Sequence, residues 1–182
     1  HIADVSHYVQ SGDIIDKEAF RRGTSVYLVD RVIPMLPEKL SNDLCSLRPN
    51  VDRLCFSVIF EINNKAKVLN YEIAKTIIHS NKRFTYEEAQ NNINSSSGEL
   101  FHELIALNSI AKILRDRRKE NGSINFEKEE TRFTLDDKKE PIGVYVKQSL
   151  DTNKLIEEFM LLANKTVSEH LNKRVNNNSF VY

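Results

Sequence analysis

Two adjacent glutamates, Glu157 and Glu158, stand in the most apolar stretch of the sequence, Leu155-Ile156-Glu157-Glu158-Phe159-Met160-Leu161-Leu162-Ala163. With about 100° between successive helical residues, Leu155, Ile156, Phe159, Met160, Leu162, Ala163 and Val167 fill one broad face. Leu161 lies opposite, and the glutamates take one shoulder each. A helical turn that is apolar nearly all round is expected to be buried on both sides. A buried carboxylate is costly unless it is paired or hydrogen-bonded. Two readings stay open on this geometry: at least one glutamate points into a polar cavity, or both are rim residues in solvent. Neighbouring helical residues diverge too far to face one substrate as an acid–base pair. A glycosidase-type pair of opposed carboxylates is thereby excluded.

Asp4 and His7 are the other polar candidates. The opening Ile2-Ala3-Asp4-Val5-Ser6-His7-Tyr8-Val9 is strand-like, and residues three apart on a strand face opposite sides, so they form no metal pair. The five histidines are scattered without HExxH or related spacing. No Gly-rich phosphate loop, GxSxG elbow or Cys/His zinc spacing occurs. The residues alone supply no complete catalytic set. Cations and rings do alternate, as Arg21-Arg22, Tyr27 and Arg31, and as the Arg115 to Lys119 cluster followed by Asn125-Phe126. Such mixtures hold single-stranded nucleic acid, although a basic helix end also complements the helix dipole without any ligand.

The elements that must position these groups read as strands and helices interspersed. After the opening strand, Asp13 or Asp16 caps a short helix through Phe20-Arg21-Arg22 that Gly23 stops. Thr24 to Val29 reads as a strand, and Pro37 starts a short helix toward Cys45 or Leu47. Leu54–Ile62 and Val68–Ser80 alternate as a hairpin across Asn63-Asn64-Lys65. Thr85-Tyr86-Glu87-Glu88 is a capping-box start. A long helix runs from Glu99 to the Arg115–Lys119 cluster, with strands over Ser123–Leu135 and Ile142–Val146, and a final helix spans about Thr152 to Arg174. Because the strands come partly as hairpins, the fold class is α+β, with mixed, largely antiparallel strands and packed helices, rather than a doubly wound parallel sheet.

The 182 residues carry 26 basic and 26 acidic side chains, which excludes a uniformly basic nucleic-acid-binding surface but not a local basic groove. Cys45 and Cys55, with no CxxC pair, exclude a disulfide scaffold and read as reduced thiols of a cytosolic protein. No apolar run is long enough for a transmembrane helix, so no membrane partner is expected. The chain opens at His1 without a methionine and closes on the apolar Ser179-Phe180-Val181-Tyr182. Both ends read as cuts inside structural elements of a longer polypeptide.

Several longer motifs carry a resemblance. His1-Ile2-Ala3-Asp4-Val5-Ser6-His7-Tyr8-Val9, Arg22-Gly23-Thr24-Ser25-Val26-Tyr27, Asp30-Arg31-Val32-Ile33-Pro34-Met35-Leu36-Pro37 and Leu40-Ser41-Asn42 occur in that order. Ser123-Ile124-Asn125-Phe126-Glu127 and Leu155-Ile156-Glu157-Glu158-Phe159-Met160-Leu161-Leu162-Ala163-Asn164 follow. Together they resemble the ribonuclease II / ribonuclease R catalytic (RNB) domain over nearly the whole chain, the bacterial ribonuclease R branch most of all. Residues 1–182 are then expected to be a partial RNB domain, truncated at both ends.

The resemblance implies a processive 3′→5′ exoribonuclease that hydrolyses single-stranded RNA to nucleoside monophosphates with Mg²⁺, in the cytoplasm, with flanking RNA-binding domains. It implies that Tyr27 clamps the 3′-terminal nucleotides and sets the final product length. Phe126 stacks on the last bases, and Glu157 bonds the terminal ribose hydroxyls, with Glu158 the competing assignment. The family's metal-binding aspartates lie upstream of the His1–Val9 motif, so no catalytic residue and no metal ligand is expected in this chain; Asp4 is only an outlying candidate for the site. The fragment alone is expected to be inactive. The alternative is a non-catalytic RNA-binding module derived from the same domain.

Overall fold

The computed structural model describes residues 1–124 and 130–174. They form β1 (Ile2–Ala3), α1 (Val5–Tyr8), α2 (Ile14–Arg22), β2 (Val26–Tyr27), β3 (Val32–Ile33), a π-helical turn (Lys39–Leu44), β4 (Asp52–Ile62) and β5 (Val68–His79). Then follow α3 (Tyr86–Ser95), α4 (Phe101–Glu120), β6 (Glu130–Leu135), β7 (Pro141–Lys147) and α5 (Asp151–Arg174). The fold is α+β. Its strands make a three-stranded sheet ordered β1-β4-β5 and the ribbons β2-β3 and β6-β7, and the pairings β1–β4, β2–β3 and β6–β7 are antiparallel.

These elements divide into two compact units, His1–Ser57 with Ala74–Arg83 and Glu129–Gln148, and Val58–Ile73 with Phe84–Lys128 and Ser149–Tyr182. In the first, the expected opening strand stops at Ala3. Asp4 N still donates to Leu54 O, at 2.9 Å, but His7 N turns back to Asp4 O and Val9 N to Val5 O, closing a helical turn. Asp13, not Asp16, caps α2, accepting from Asp16 N at 2.7 Å, and Gly23 ends it with φ 72°. The expected strand over Thr24–Val29 shrinks to Val26–Tyr27, because Leu28 N bonds Arg31 O at 2.8 Å and folds the chain back onto Val32–Ile33. The expected helix after Pro37 forms as a π-helical turn. Arg53, itself 8% exposed, fastens it with bonds to Asp43 O, Ser46 O and Asp43 Oδ1.

The second unit packs α3, α4 and α5 on one another. Thr85 builds the full capping box: its hydroxyl accepts from Glu88 N at 3.1 Å, and Glu88 Oε2 accepts from Thr85 N at 2.8 Å. The hairpin tip needs no glycine. Asn63 Oδ1 accepts from Lys65 N and Lys67 N, both at 3.0 Å, and buried Ala66 takes the left-handed conformation at φ 51°. Arg117 of α4 then donates to the carbonyls of Ala66 and Lys65. Ser123 and Ile124 lie outside any strand, so the expected strand from Ser123 begins, among the described residues, at Glu130.

Candidate functional site

α5 positions the glutamate pair, and its packing differs from the broad buried face read from the sequence. Its buried residues are Thr152, Leu155 and Glu158, a narrow stripe at spacings of three. Ile156 and Met160 are 44% and 59% exposed. Ile156 lines a cavity together with Tyr86, Leu104 and Leu155, so its side chain is half open rather than packed. Glu158 is therefore the buried carboxylate, 4% exposed, whereas the Glu157 side chain is 54% exposed. Burial singles out Glu158, while the resemblance implies Glu157.

Arg118, near the end of α4, joins them. Its Nη2 donates to Glu158 Oε1 at 2.6 Å and to Glu157 Oε1 at 3.0 Å. Its Nε reaches Glu158 Oε1 at 3.2 Å, and Nη1 donates to Ser123 Oγ at 3.1 Å. The carboxylates hold the guanidinium pKa above its ordinary value, the Glu158 hydrogen bond foremost. Of the basic cluster, Arg117 serves the hairpin tip and Arg115 lies 4.0 Å from Asp151. The cluster has specific partners and does more than complement the dipole of α4.

Beside this ion-paired group opens a cavity of about 550 Å³, lined among others by Leu114, Arg117, Arg118, Ser123, Glu158 and Lys165. Its volume falls in the range of small-molecule and cofactor sites. Glu158 presents to it, and Glu157 is not part of its wall. Phe126, the stacking residue implied by the resemblance, lies outside the described residues.

Tyr27 belongs to the other unit, on the β2–β3 ribbon opposite Val32. It is 79% exposed. A ring presented this way is available for stacking. Asp4 is the reverse, 5% exposed. Its Oδ1 accepts from Ser6 Oγ at 2.5 Å and its Oδ2 pairs with Lys75 Nζ at 3.2 Å, while the same ammonium sits 5.0 Å from the Phe56 ring centre. The Ser6 bond, assisted by Lys75, lowers the Asp4 pKa. Both oxygens have protein partners, so Asp4 serves the β1–α1 junction.

Among the described residues no group of three His, Cys, Asp or Glu side chains is placed to hold a metal ion. With Asp4 committed to Ser6 and Lys75, these residues do not fit a Mg²⁺ centre. Both cysteines are free, Cys55 buried and Cys45 half-buried. Burial raises both thiol pKa values.

Hairpins and helices of this order, with an arginine-tied carboxylate pair beside a cavity, define an α+β class of domain. Comparison with known proteins gives it a family. The family model described as RNB domain matches residues 1–182. The chain belongs to the RNB-domain family. It is 44% identical over 176 residues to the human "Exosome complex exonuclease RRP44", covering 95% of this chain and 18% of that protein. It is equally 44% identical over 176 residues to "Ribonuclease R" of Thermotoga maritima, covering 93% of this chain and 25% of the relative. Among solved structures, Mycoplasma genitalium RNase R in complex with ribose methylated single-stranded RNA superposes with TM-score 0.86 at 30% identity, over 94% of this chain and 28% of that one. Yeast Ssd1, a pseudonuclease, shares the fold at TM-score 0.71 and 17% identity, over 96% of this chain and 21% of that one. The chain thus spans about a quarter or less of the lengths of its curated relatives named here.

Proposed function

We propose that this chain is the part of a processive 3′→5′ exoribonuclease that grips the 3′ end of single-stranded RNA, which the whole protein hydrolyses to nucleoside monophosphates. The observation that carries the reading is 44% identity, along nearly the whole chain, to proteins named as an exosome exonuclease and a ribonuclease R. Tyr27 stacks on and limits the terminal nucleotides, Phe126 stacks on the last bases, and Glu157 accepts bonds from the ribose hydroxyls. The exposure of Tyr27 and of the Glu157 carboxylate supports these roles, since each can reach a substrate without unfolding its element. Glu158 stays bound to protein. Mg²⁺ is held by aspartates contributed from outside these 182 residues. The enzyme works in the cytoplasm with flanking RNA-binding domains.

The test is direct. Purified residues 1–182, given a 3′-labelled RNA strand with Mg²⁺ or Mn²⁺, are expected to release no mononucleotide. The natural polypeptide that carries them is expected to release it processively. Release by residues 1–182 that persists through repeated purification would place the metal ligands inside this chain and overturn that part of the proposal. A natural polypeptide that binds RNA and never cuts it is instead a non-catalytic RNA-binding module.

A further inference from the structure

Every kind of nitrogen on the Arg118 guanidinium is engaged: Nε and Nη2 on Glu158 Oε1, Nη2 also on Glu157 Oε1, and Nη1 on Ser123 Oγ. Glu158 is 4% exposed, so the anchor of this fork is a fixed, desolvated charge. Ser123 fastens the other edge. The guanidinium plane is thereby set by protein on both sides, and a planar fork transmits that orientation to whatever else it bonds. What else it bonds is Glu157, an exposed carboxylate on three rotatable bonds that would otherwise sample many rotamers. Only Oε1 of Glu157 is held; Oε2 has no protein donor among the described residues.

We propose that Arg118 is the positioning residue of the ribose contact: by holding Oε1 of Glu157 it presents Oε2, in one orientation, to the hydroxyls of an RNA 3′ end. The proposal rests on Glu157 being that contact. Arg118 itself touches no substrate. Its effect is preorganisation, removing the ordering that Glu157 would otherwise undergo on binding. Losing the immobilisation of one such side chain corresponds to about a two- to tenfold loss of affinity. The loss falls on the ribose-terminated strand, because a 2′-deoxyribose end makes less use of the oriented oxygen.

The competing account is that Arg118 merely neutralises buried Glu158. The two separate in Arg118→Lys, which keeps a positive charge for Glu158 but lacks the fork that spans Glu158, Glu157 and Ser123. The measurement is the ratio of affinities of the natural polypeptide for two strands of one sequence, one all-ribose and one ending in 2′-deoxyribose, with thermal melting alongside. Arg118→Lys is expected to melt near the wild type while the ratio falls about two- to tenfold, toward that of Glu157→Ala. A wild-type ratio in folded Arg118→Lys overturns the proposal. If Arg118→Lys does not fold, the double variant Arg118→Gln, Glu158→Gln keeps a neutral hydrogen-bonded pair and reads the same ratio. A fall there supports the proposal, and an unchanged ratio overturns it. If Glu157→Ala leaves the ratio unchanged, the ribose contact itself is wrong and Arg118 falls with it. If Glu157→Ala lowers the ratio and the Arg118 variants do not, the ribose contact stands and only the positioning role is lost.

Discussion

Thr152 Oγ1 donates to the carbonyl of Tyr86 at 2.9 Å, so the first turn of α5 hangs on the first turn of α3. Thr152 is 3% exposed, and its backbone N–H is also taken, by Gln90 Oε1 at 3.2 Å. Glu157 lies in the next turn of the helix, so this junction fixes where the glutamate pair starts. Thr152→Val keeps the volume and removes the hydroxyl. It is expected to cost about 1–3 kcal/mol, the usual penalty of a buried bond left unmade, and urea unfolding would measure it. A change below about 0.5 kcal/mol would show that α5 is docked by other contacts.

The two glutamates should part company in stability. Glu158→Ala leaves the Arg118 charge against a buried gap and is expected to cost roughly 3 kcal/mol, the low end for a broken buried pair because Arg118 still reaches water. Glu157→Ala removes an exposed partner and should cost less than about 1 kcal/mol. Thermal melts of the two variants make the comparison, and equal losses would contradict the burial difference.

Tyr27→Ala is expected to leave stability within about 0.5 kcal/mol, since the side chain is largely exposed. In the natural polypeptide it should lengthen the final RNA products. Stacking contributes about 1–3 kcal/mol per base, enough to shift where gripping fails without abolishing turnover. Product lengths on a sequencing gel report it, and an unchanged limit product in a folded variant would remove Tyr27 from the clamp.

What could be read from the sequence was what is decided locally. The capping box at Thr85 and Glu88, the stop at Gly23 and the β4–β5 hairpin are short-range hydrogen-bond choices, and the structure has all three. The opening segment reads as a strand through Val9, and the structure departs from that after Ala3. Val5 and Val9 suit a strand by type but a helical turn by spacing, and the Asp4 carbonyl resolves it toward the turn. The exposure of Ile156 and Met160 depends on which elements lie against α5, which periodicity along one helix cannot report. Arg118 was legible only as one of a basic run. Its pairing with Glu157 and Glu158 spans about forty residues and exists only once α4 and α5 pack.

Acid should loosen the N-terminal segment through three carboxylates. Glu18 accepts from Arg21 Nε at 2.9 Å and from Arg22 Nε at 2.9 Å, and these bonds lower its pKa from 4.5 to about 2. The cap bond from Asp16 N lowers that of Asp13, and the Ser6 hydroxyl lowers that of Asp4. In each case the folded state holds the proton more weakly than the unfolded chain does. The unfolded chain therefore takes up protons first as pH falls, and the stabilisation, complete above the ordinary carboxylate values, is lost on the way down to the folded ones. For Glu18 that window runs from 4.5 to about 2. Amide exchange in α2 is expected to accelerate across it, relative to the intrinsic rates at each pH. Glu18→Gln cannot ionise, so its α2 protection should be lower at neutral pH and should change less on acidification. If Glu18→Gln and the wild type lose α2 protection in parallel, the Glu18 ion pairs contribute nothing to the acid response, and Asp13 at the helix cap becomes the group to substitute.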